Sequence, residues 1–442
     1  MANTITDLSP DELIQLLSGK YYGMVYLGLA NAAYTSAANK LAFEIERDLK
    51  KALEDTQYIP SLPDINQVNE KENLRKVDGA WHLEWGPGIA EDLSNLVYIA
   101  SYRSPASEVY FFVVGIRGTD VSSGPIGDLD QIFEDLYAFA APNWTTYLNS
   151  GVDVEVKIGD VTECRHYGPP PKLPGSRADI GGCVAAGTIA GFDKIAGLKG
   201  KLRDPSSNEF SGDKMYLVDA LADLLANSVS PISKSHDIPI IVTGHSLGGC
   251  QTQVMTSYLA WQFGDQTVIG HPFAPSTAGD AGFAAQKAFE YGCFWRNTLD
   301  LVPAAFGRLP PIGGQGELMV SWAANNLWTG FSWPHKPLDP AVPGPELPEK
   351  KRIEDLISKH GKDIYDIHYS RPSAGMVDVE LDGYLPEPDV IQAFLDDLGK
   401  DKEDPKGGLA QLMWQHFPPN YQTLMWDQQG SELVYFNYQS YK

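Results

Sequence analysis

The chain has few cations, few cysteines and no long apolar run, and each shortage excludes something. Its 34 Lys and Arg face 57 Asp and Glu, leaving a net charge of −23. A surface that acidic repels nucleic acid and anionic headgroups, so no nucleic-acid partner is expected. Neutral esters and zwitterionic lipid surfaces remain compatible with it. The four cysteines, Cys164, Cys183, Cys250 and Cys293, are too few and too scattered for a disulfide framework or a zinc site. Cys250 and Cys293 are expected as buried thiols. The opening residues, Met-Ala-Asn-Thr-Ile-Thr-Asp, lack the basic start and apolar core of a signal peptide. Tyr21 to Tyr34 is the most apolar stretch, but it falls short of the ~20 residues a spanning helix needs. The expectation is a cytoplasmic protein, or one exported without a cleaved signal peptide, with no transmembrane segment. Cofactor signals are missing as well. No glycine-rich phosphate loop or dinucleotide fingerprint occurs, and the acidic cluster Asp128, Asp130, Glu134 and Asp135 lacks calcium-loop spacing. Neither a cofactor nor a metal is expected.

What is present is apolar patterning, with 43% hydrophobic residues in a chain of 442. Ser9-Pro10-Asp11-Glu12 is a helix start, with a serine cap, proline in the first turn and early acids. Helical patterning continues with breaks to about Asp55, and Pro60 and Pro63 mark a linker or ordered loop over 58–64. Strands are then predicted over 81–85, 96–102 and 109–116. The last is a nearly continuous apolar run, as in a sheet covered on both faces. Residues 120–182 read as irregular, apart from a helical piece over 130–139. Further on, the pattern predicts helices over 184–197, 214–228 and 283–291, and strands over 238–243, 267–273 and 293–298. Residues 303–349, rich in Pro, Gly and Trp, read as an insertion. Helices are predicted over 350–360 and 386–398, and an edge strand over 432–438. The alternation across 96–300 predicts an α/β fold with a central, mostly parallel sheet flanked by helices. Residues 1–80 are then a helical N-terminal extension packed on a main domain, 81–442, with insertions at about 120–182 and 303–410.

One stretch concentrates the chemistry. Gly244-His245-Ser246-Leu247-Gly248-Gly249 follows the β-branched run Ile240-Ile241-Val242-Thr243 and precedes a helical pattern over 250–263. In that strand–turn–helix context a G-x-S-x-G motif is a nucleophile elbow. A serine hydroxyl is a weak nucleophile and must stand where a base can take its proton. Glycines beside it let strand and helix meet at a sharp turn. In α/β-hydrolases the partners follow in the order acid, then histidine. Asp300, in Asn297-Thr298-Leu299-Asp300-Leu301-Val302-Pro303, ends a short strand and is the leading acid, ahead of Asp265 and Asp280. His335, His360, His368 and His416 all lie downstream. His416 is preferred because it sits in a loop-like stretch, 413–421, that a rigid sheet can hold over the serine, with His368 next. His245 is adjacent to the nucleophile, so its ring should point away from the hydroxyl. The oxyanion donors should be the N–H of Leu247 and that of Thr119, in the loop after the apolar strand.

Together these segments resemble the fungal-lipase-like (lipase class 3) family of α/β-hydrolases. The resemblance covers roughly 94–305 and the stretch around His416. It rests on Arg117-Gly118-Thr119, the elbow at 244–249, Phe273 to Asp280, Asp300-Leu301-Val302-Pro303, and His416 with Tyr421 five positions on. Ile116 stands where the family usually has phenylalanine, and a Val-His-x-Gly-Phe segment is echoed only by Gly191-Phe192. The spacing from Asp300 to His416 is longer than usual, and residues 1–93 have no counterpart in the match. The resemblance implies hydrolysis of carboxylic esters, chiefly acylglycerol-type lipids, through an acyl-enzyme on Ser246. It also implies transient contact with a lipid surface, and makes 121–148, with Phe133, Tyr137, Phe139 and Trp144, a lid or acyl-pocket wall unless these rings are core. Three alternatives stay open at this point: a phospholipase A1-type acyl hydrolase, a peptidase, and a catalytically silent hydrolase fold used for binding.

Overall fold

The computed structural model describes residues 9–34, 42–54, 79–91, 95–118, 140–158, 161–175, 178–204, 207, 209–231, 238–264, 266–298, 300, 302–304, 332–333, 336–337, 369–383, 388–397 and 414–429. Three helices come first: α1 (Pro10–Ser18), α2 (Gly23–Ala32) and α3 (Ala42–Glu54). Ser9 caps α1 through a complete capping box, accepting from the Glu12 backbone while the Glu12 carboxylate bonds Ser9 N at 2.8 Å. Such a cap is worth ~1 kcal/mol.

The strands and helices that follow are β1 (Ala80–Ile89), β2 (Leu96–Arg103), β3 (Val109–Ile116), α4 (Trp144–Ser150), β4 (Val152–Ile158), β5 (Val161–Tyr167) and α5 (Ala186–Ala196). Then come β6 (Lys199–Asp204), β7 (Glu209–Tyr216), α6 (Leu217–Asn227), β8 (Ile240–His245), α7 (Leu247–Phe263), β9 (Val268–Phe273) and β10 (Cys293–Asn297). The series closes with β11 (Val377–Leu381), α8 (Pro388–Asp397) and α9 (Pro418–Gln429). Nine strands form one sheet in the order β11-β10-β9-β8-β3-β2-β1-β6-β7. From β3 to β11 the neighbours run parallel, while the β2, β1, β6 and β7 half is antiparallel.

The period-two rule sorts each strand onto two faces. Val97, Ile99, Phe112, Val114, Ile240 and Val242 face one core, which α4, α5, α6 and α7 complete. Tyr98, Ala100, Phe111, Val113 and Ile241 face the other, which α1, α2, α3 and α9 complete. Both faces are covered, so the central strands carry the continuous apolar runs read in the sequence. The N-terminal helices are therefore one of the layers over the sheet, not an appendage beside it. At the antiparallel end Glu84, 1% exposed, would be costly alone in the core. Burial pushes its carboxyl up, but Arg103 and Arg203, each within salt-bridge reach, outweigh that and hold it below the usual range.

Several expectations change. The stretch 120–182 contains a hairpin, β4–β5, whose alternation Val152, Val154, Val156, Ile158 against Asp153, Glu155, Lys157 is a plain strand signal overlooked beside the prolines of 169–171. The helix predicted over 214–228 starts only at Leu217, because 209–216 is strand β7. The helix over 283–291 is two short turns, Ala281–Ala284 and Lys287–Phe289. Strand β11 was not foreseen. The predicted elements over 58–64, 130–139, 350–360 and 432–438, the acidic cluster 128–135 and nearly all of the 303–349 insertion lie outside the described residues. Among the described residues no helix is long and apolar enough to cross a membrane.

Candidate active site

The elbow begins where β8 ends. Ser246 stands between β8 and α7 at φ 60° and ψ −126°. For a residue with a side chain that conformation costs ~1–3 kcal/mol, which the surrounding packing must hold in place. The flanking glycines make it sterically accessible. A β-carbon on Gly244 would lie 2.4 Å from the Gly248 carbonyl oxygen, and one on Gly248 would lie 2.5 Å from that of Ile116. Ser246 N donates to the Phe273 carbonyl at 2.9 Å, and the Ser246 carbonyl accepts from Cys250 N at 3.0 Å. The turn is thus tied to β9 on one side and α7 on the other.

The side chains singled out in the sequence meet there. Ser246 Oγ lies 2.8 Å from His416 Nε2, positioned to donate its proton. His416 Nδ1 lies 2.9 Å and 3.1 Å from the two carboxylate oxygens of Asp300. All three are buried, with Ser246 and His416 6% exposed and Asp300 4%. Asp300 accepts further bonds, from Val302 N at 3.0 Å and from the Tyr421 hydroxyl at 2.8 Å. Asn297 N in turn donates to the Tyr421 oxygen at 3.0 Å. Burial, and then the Asp300 charge, push the Tyr421 phenol well above its ordinary value, so it remains a donor.

His416 is not on an open loop as expected. It ends a helical turn, 414–416, just before α9. The Asn297 side-chain amide pins that turn, donating to the Gln415 carbonyl at 2.9 Å and to its side-chain oxygen at 2.8 Å. His245, set aside as a base, has a different place. Its Nε2 bonds the His416 backbone carbonyl at 2.8 Å, and burial, with His416 nearby, depresses its pKa well below the usual imidazole value. A neutral ring that donates from Nε2 anchors the backbone that carries His416.

The position of Leu247 suits an oxyanion donor, since the first N–H groups of a helix have no intrahelical partner. Thr119 lies outside the described residues, as do Asp265, His335, His360 and His368. Its neighbour Gly118 is described, and its N–H donates to the Tyr34 hydroxyl at 3.1 Å. Asp280, the rival acid, is occupied as a cap, accepting from Cys183 N at 2.9 Å and Phe283 N at 2.8 Å. Trp144 is core, its indole N–H donating to Ser257 at 2.9 Å and its ring stacked on Tyr147. Neither His245 nor Tyr34 was identified as part of the site from sequence.

No protein-family model and no curated protein matches the chain. Among solved structures it is similar to M37 lipase, at a TM-score of 0.55 and 18% identity, over 93% of this chain and 94% of that one. More distant matches are the Rhizomucor miehei lipase propeptide complex (TM-score 0.32, 14% identity, 64% and 62% of the two chains) and Yarrowia lipolytica Lip2 lipase (0.33, 16%, 65% and 74%). At 18% identity the likeness to M37 lipase speaks to architecture alone, and it spans nearly the full length of both chains. The chain has the α/β-hydrolase fold, shared with that lipase over nearly the whole of both chains.

Proposed function

We propose that the protein is a serine hydrolase that cleaves carboxylic esters, with acylglycerol-type lipids as the leading substrate class. Ser246 Oγ attacks the ester carbonyl while His416 Nε2 takes its proton, and Asp300 orients the imidazole and stabilises the imidazolium. The N–H groups of Leu247 and Thr119 hold the oxyanion. Collapse of the tetrahedral intermediate breaks the ester C–O bond, and His416 returns the proton to the departing alcohol. A water then gives its proton to His416 and attacks the acyl-enzyme. As the second tetrahedral intermediate collapses, the Ser246 Oγ–acyl bond breaks and His416 returns the proton to Ser246, releasing the carboxylic acid. The observation that carries the reading is the unbroken relay from Ser246 through His416 to Asp300, at 2.8 Å and 2.9 Å, on a strained elbow. A strained, buried serine already bonded to an imidazole is an expensive arrangement for a purely structural role. The lipid preference rests on the shared fold with M37 lipase.

The test is an ester panel, from p-nitrophenyl butyrate to long-chain triacylglycerol and phospholipid, run on wild type and Ser246→Ala side by side. Ser246→Ala should lose activity by ~10⁴-fold or more with its thermal transition unchanged. A variant that hydrolyses these esters at the wild-type rate would sink the assignment. Phospholipid turnover exceeding triacylglycerol turnover would move the substrate class while leaving the chemistry in place.

A further inference from the structure

Tyr34 lies just beyond α2, and its side chain reaches the elbow from the N-terminal layer. Its hydroxyl accepts the Gly118 N–H at 3.1 Å and donates to the His245 carbonyl at 3.0 Å. Gly118 belongs to the segment leaving β3 and directly precedes Thr119, while His245 directly precedes Ser246. One hydroxyl thus ties together the two backbone segments from which the proposed oxyanion donors depart. The fit is close. A β-carbon on Gly118 would lie 2.6 Å from the Tyr34 oxygen, 2.6 Å from the His245 carbonyl oxygen and 2.8 Å from Gly248 N. The Tyr34 ring also meets the His245 imidazole edge-on, with centroids 6.3 Å apart, so ring and hydroxyl bear on the same short piece of chain.

We infer that Tyr34 is a positioning residue for the oxyanion hole, delivered by the N-terminal helices and holding Gly118, just after β3, in register with the elbow. The inference rests on the esterase reading above. The oxyanion forms once in acylation and once in deacylation, so misplaced donors slow the chemistry and leave ground-state binding nearly untouched. Residues 1–93, which the resemblance does not cover, would then supply part of the catalytic geometry.

Tyr34→Phe keeps the ring and removes only the hydroxyl. Fluorophosphonate titration of wild type and variant counts active sites, and a soluble p-nitrophenyl ester is then assayed across pH. Per titrated site, kcat should fall ~10- to 100-fold with KM within about twofold. The midpoint of the acid limb, which reports the general base, should not move. A per-site kcat within about twofold of wild type overturns the inference. So does a shifted acid limb with an unchanged plateau, which would put the effect on the base. A merely structural role would lower the titrated fraction and the thermal midpoint and spare the per-site rate. If the phenylalanine variant fails to fold, difluorotyrosine at position 34 preserves the hydroxyl but makes it more acidic. Its ionisation removes the donor to His245, so activity should fail at lower alkaline pH than in wild type, and an unchanged alkaline limb is the contrary result. A wild type that takes no label at Ser246 overturns the esterase reading itself, and the Tyr34 assignment with it.

Discussion

In the proposed mechanism Tyr421 works at one remove from the substrate. Its hydroxyl donates to Asp300 at 2.8 Å and accepts from Asn297 N at 3.0 Å, so it fixes the carboxylate that orients His416. A neutral bond to a charged group is worth ~1.5–3 kcal/mol, so Tyr421→Phe should lower kcat ~10- to 100-fold with KM nearly unchanged. Asp300→Asn should cost more, ~10⁴-fold, because it also presents the wrong tautomer to the base. Steady-state kinetics on the two variants decide it, and a Tyr421→Phe enzyme with the wild-type kcat contradicts this account of Asp300. That Ser246 and Asp300 would lie close together was legible from two short motifs, the elbow and Asp300-Leu301-Val302-Pro303, whereas His416 was preferred for a loop-like stretch that is a helical turn. The partners that hold them were less so. His245 bonds a carbonyl 171 positions away and Tyr34 one 211 positions away, and no local pattern marks either contact.

At the scale of elements, α2 is wedged between the sheet and α9. A β-carbon on Gly23 would lie 2.5 Å from the Trp295 ring of β10 and 2.6 Å from Met425 of α9. Trp295 is fully buried and stacked on Phe273, so it has little room to yield. Gly23→Ala should therefore destabilise the fold by ~1–3 kcal/mol, read as a lower urea midpoint at unchanged slope. An unchanged midpoint would mean that the contact relaxes freely. The strands legible in sequence, β1 to β3 and β8 to β10, are those with apolar side chains on one or both faces. Besides the β4–β5 hairpin and β6, the strands missed were the two edges of the large sheet: β7, exposed over most of its length, and β11, whose Val377, Asp378 and Glu380 are exposed. Such edge strands are specified by ladder bonds and surface ion pairs, as between Arg296 and Asp378 at 2.9 Å, more than by hydrophobic period.

For the molecule as a whole, two buried histidines tie stability to pH. His271 is fully buried, donates from Nε2 to the Leu17 carbonyl at 2.9 Å and packs tilted against the Tyr26 ring. Burial pulls its pKa down to about 3, and burial likewise depresses His245. Below the ordinary imidazole value, near 6.5, the unfolded chain binds protons that the native state refuses. Stability should thus be fully present above about pH 6.5 and fall as pH drops towards 3, by roughly 1.4 kcal/mol per unit for each such histidine. Urea midpoints at pH 7.5, 6 and 5 measure this, and His271→Gln should flatten the slope while keeping a donor for Leu17. A midpoint constant over that range would show that these rings are free to protonate in place. The α/β class and the parallel centre of the sheet were readable from alternating patterns. That the N-terminal helices cover one face together with α9, with Tyr34 at the elbow, was not, because layer placement depends on partners far along the chain.

The central claim is that Ser246 is a nucleophile activated by His416. It is tested most directly by treating wild type, Ser246→Ala and His416→Ala with a fluorophosphonate and mapping the adduct by mass spectrometry. The account predicts one adduct per wild-type molecule, on Ser246, none on Ser246→Ala, and labelling slowed by orders of magnitude in His416→Ala. Wild-type protein that stays unlabelled, or that carries the adduct on another residue, would contradict it.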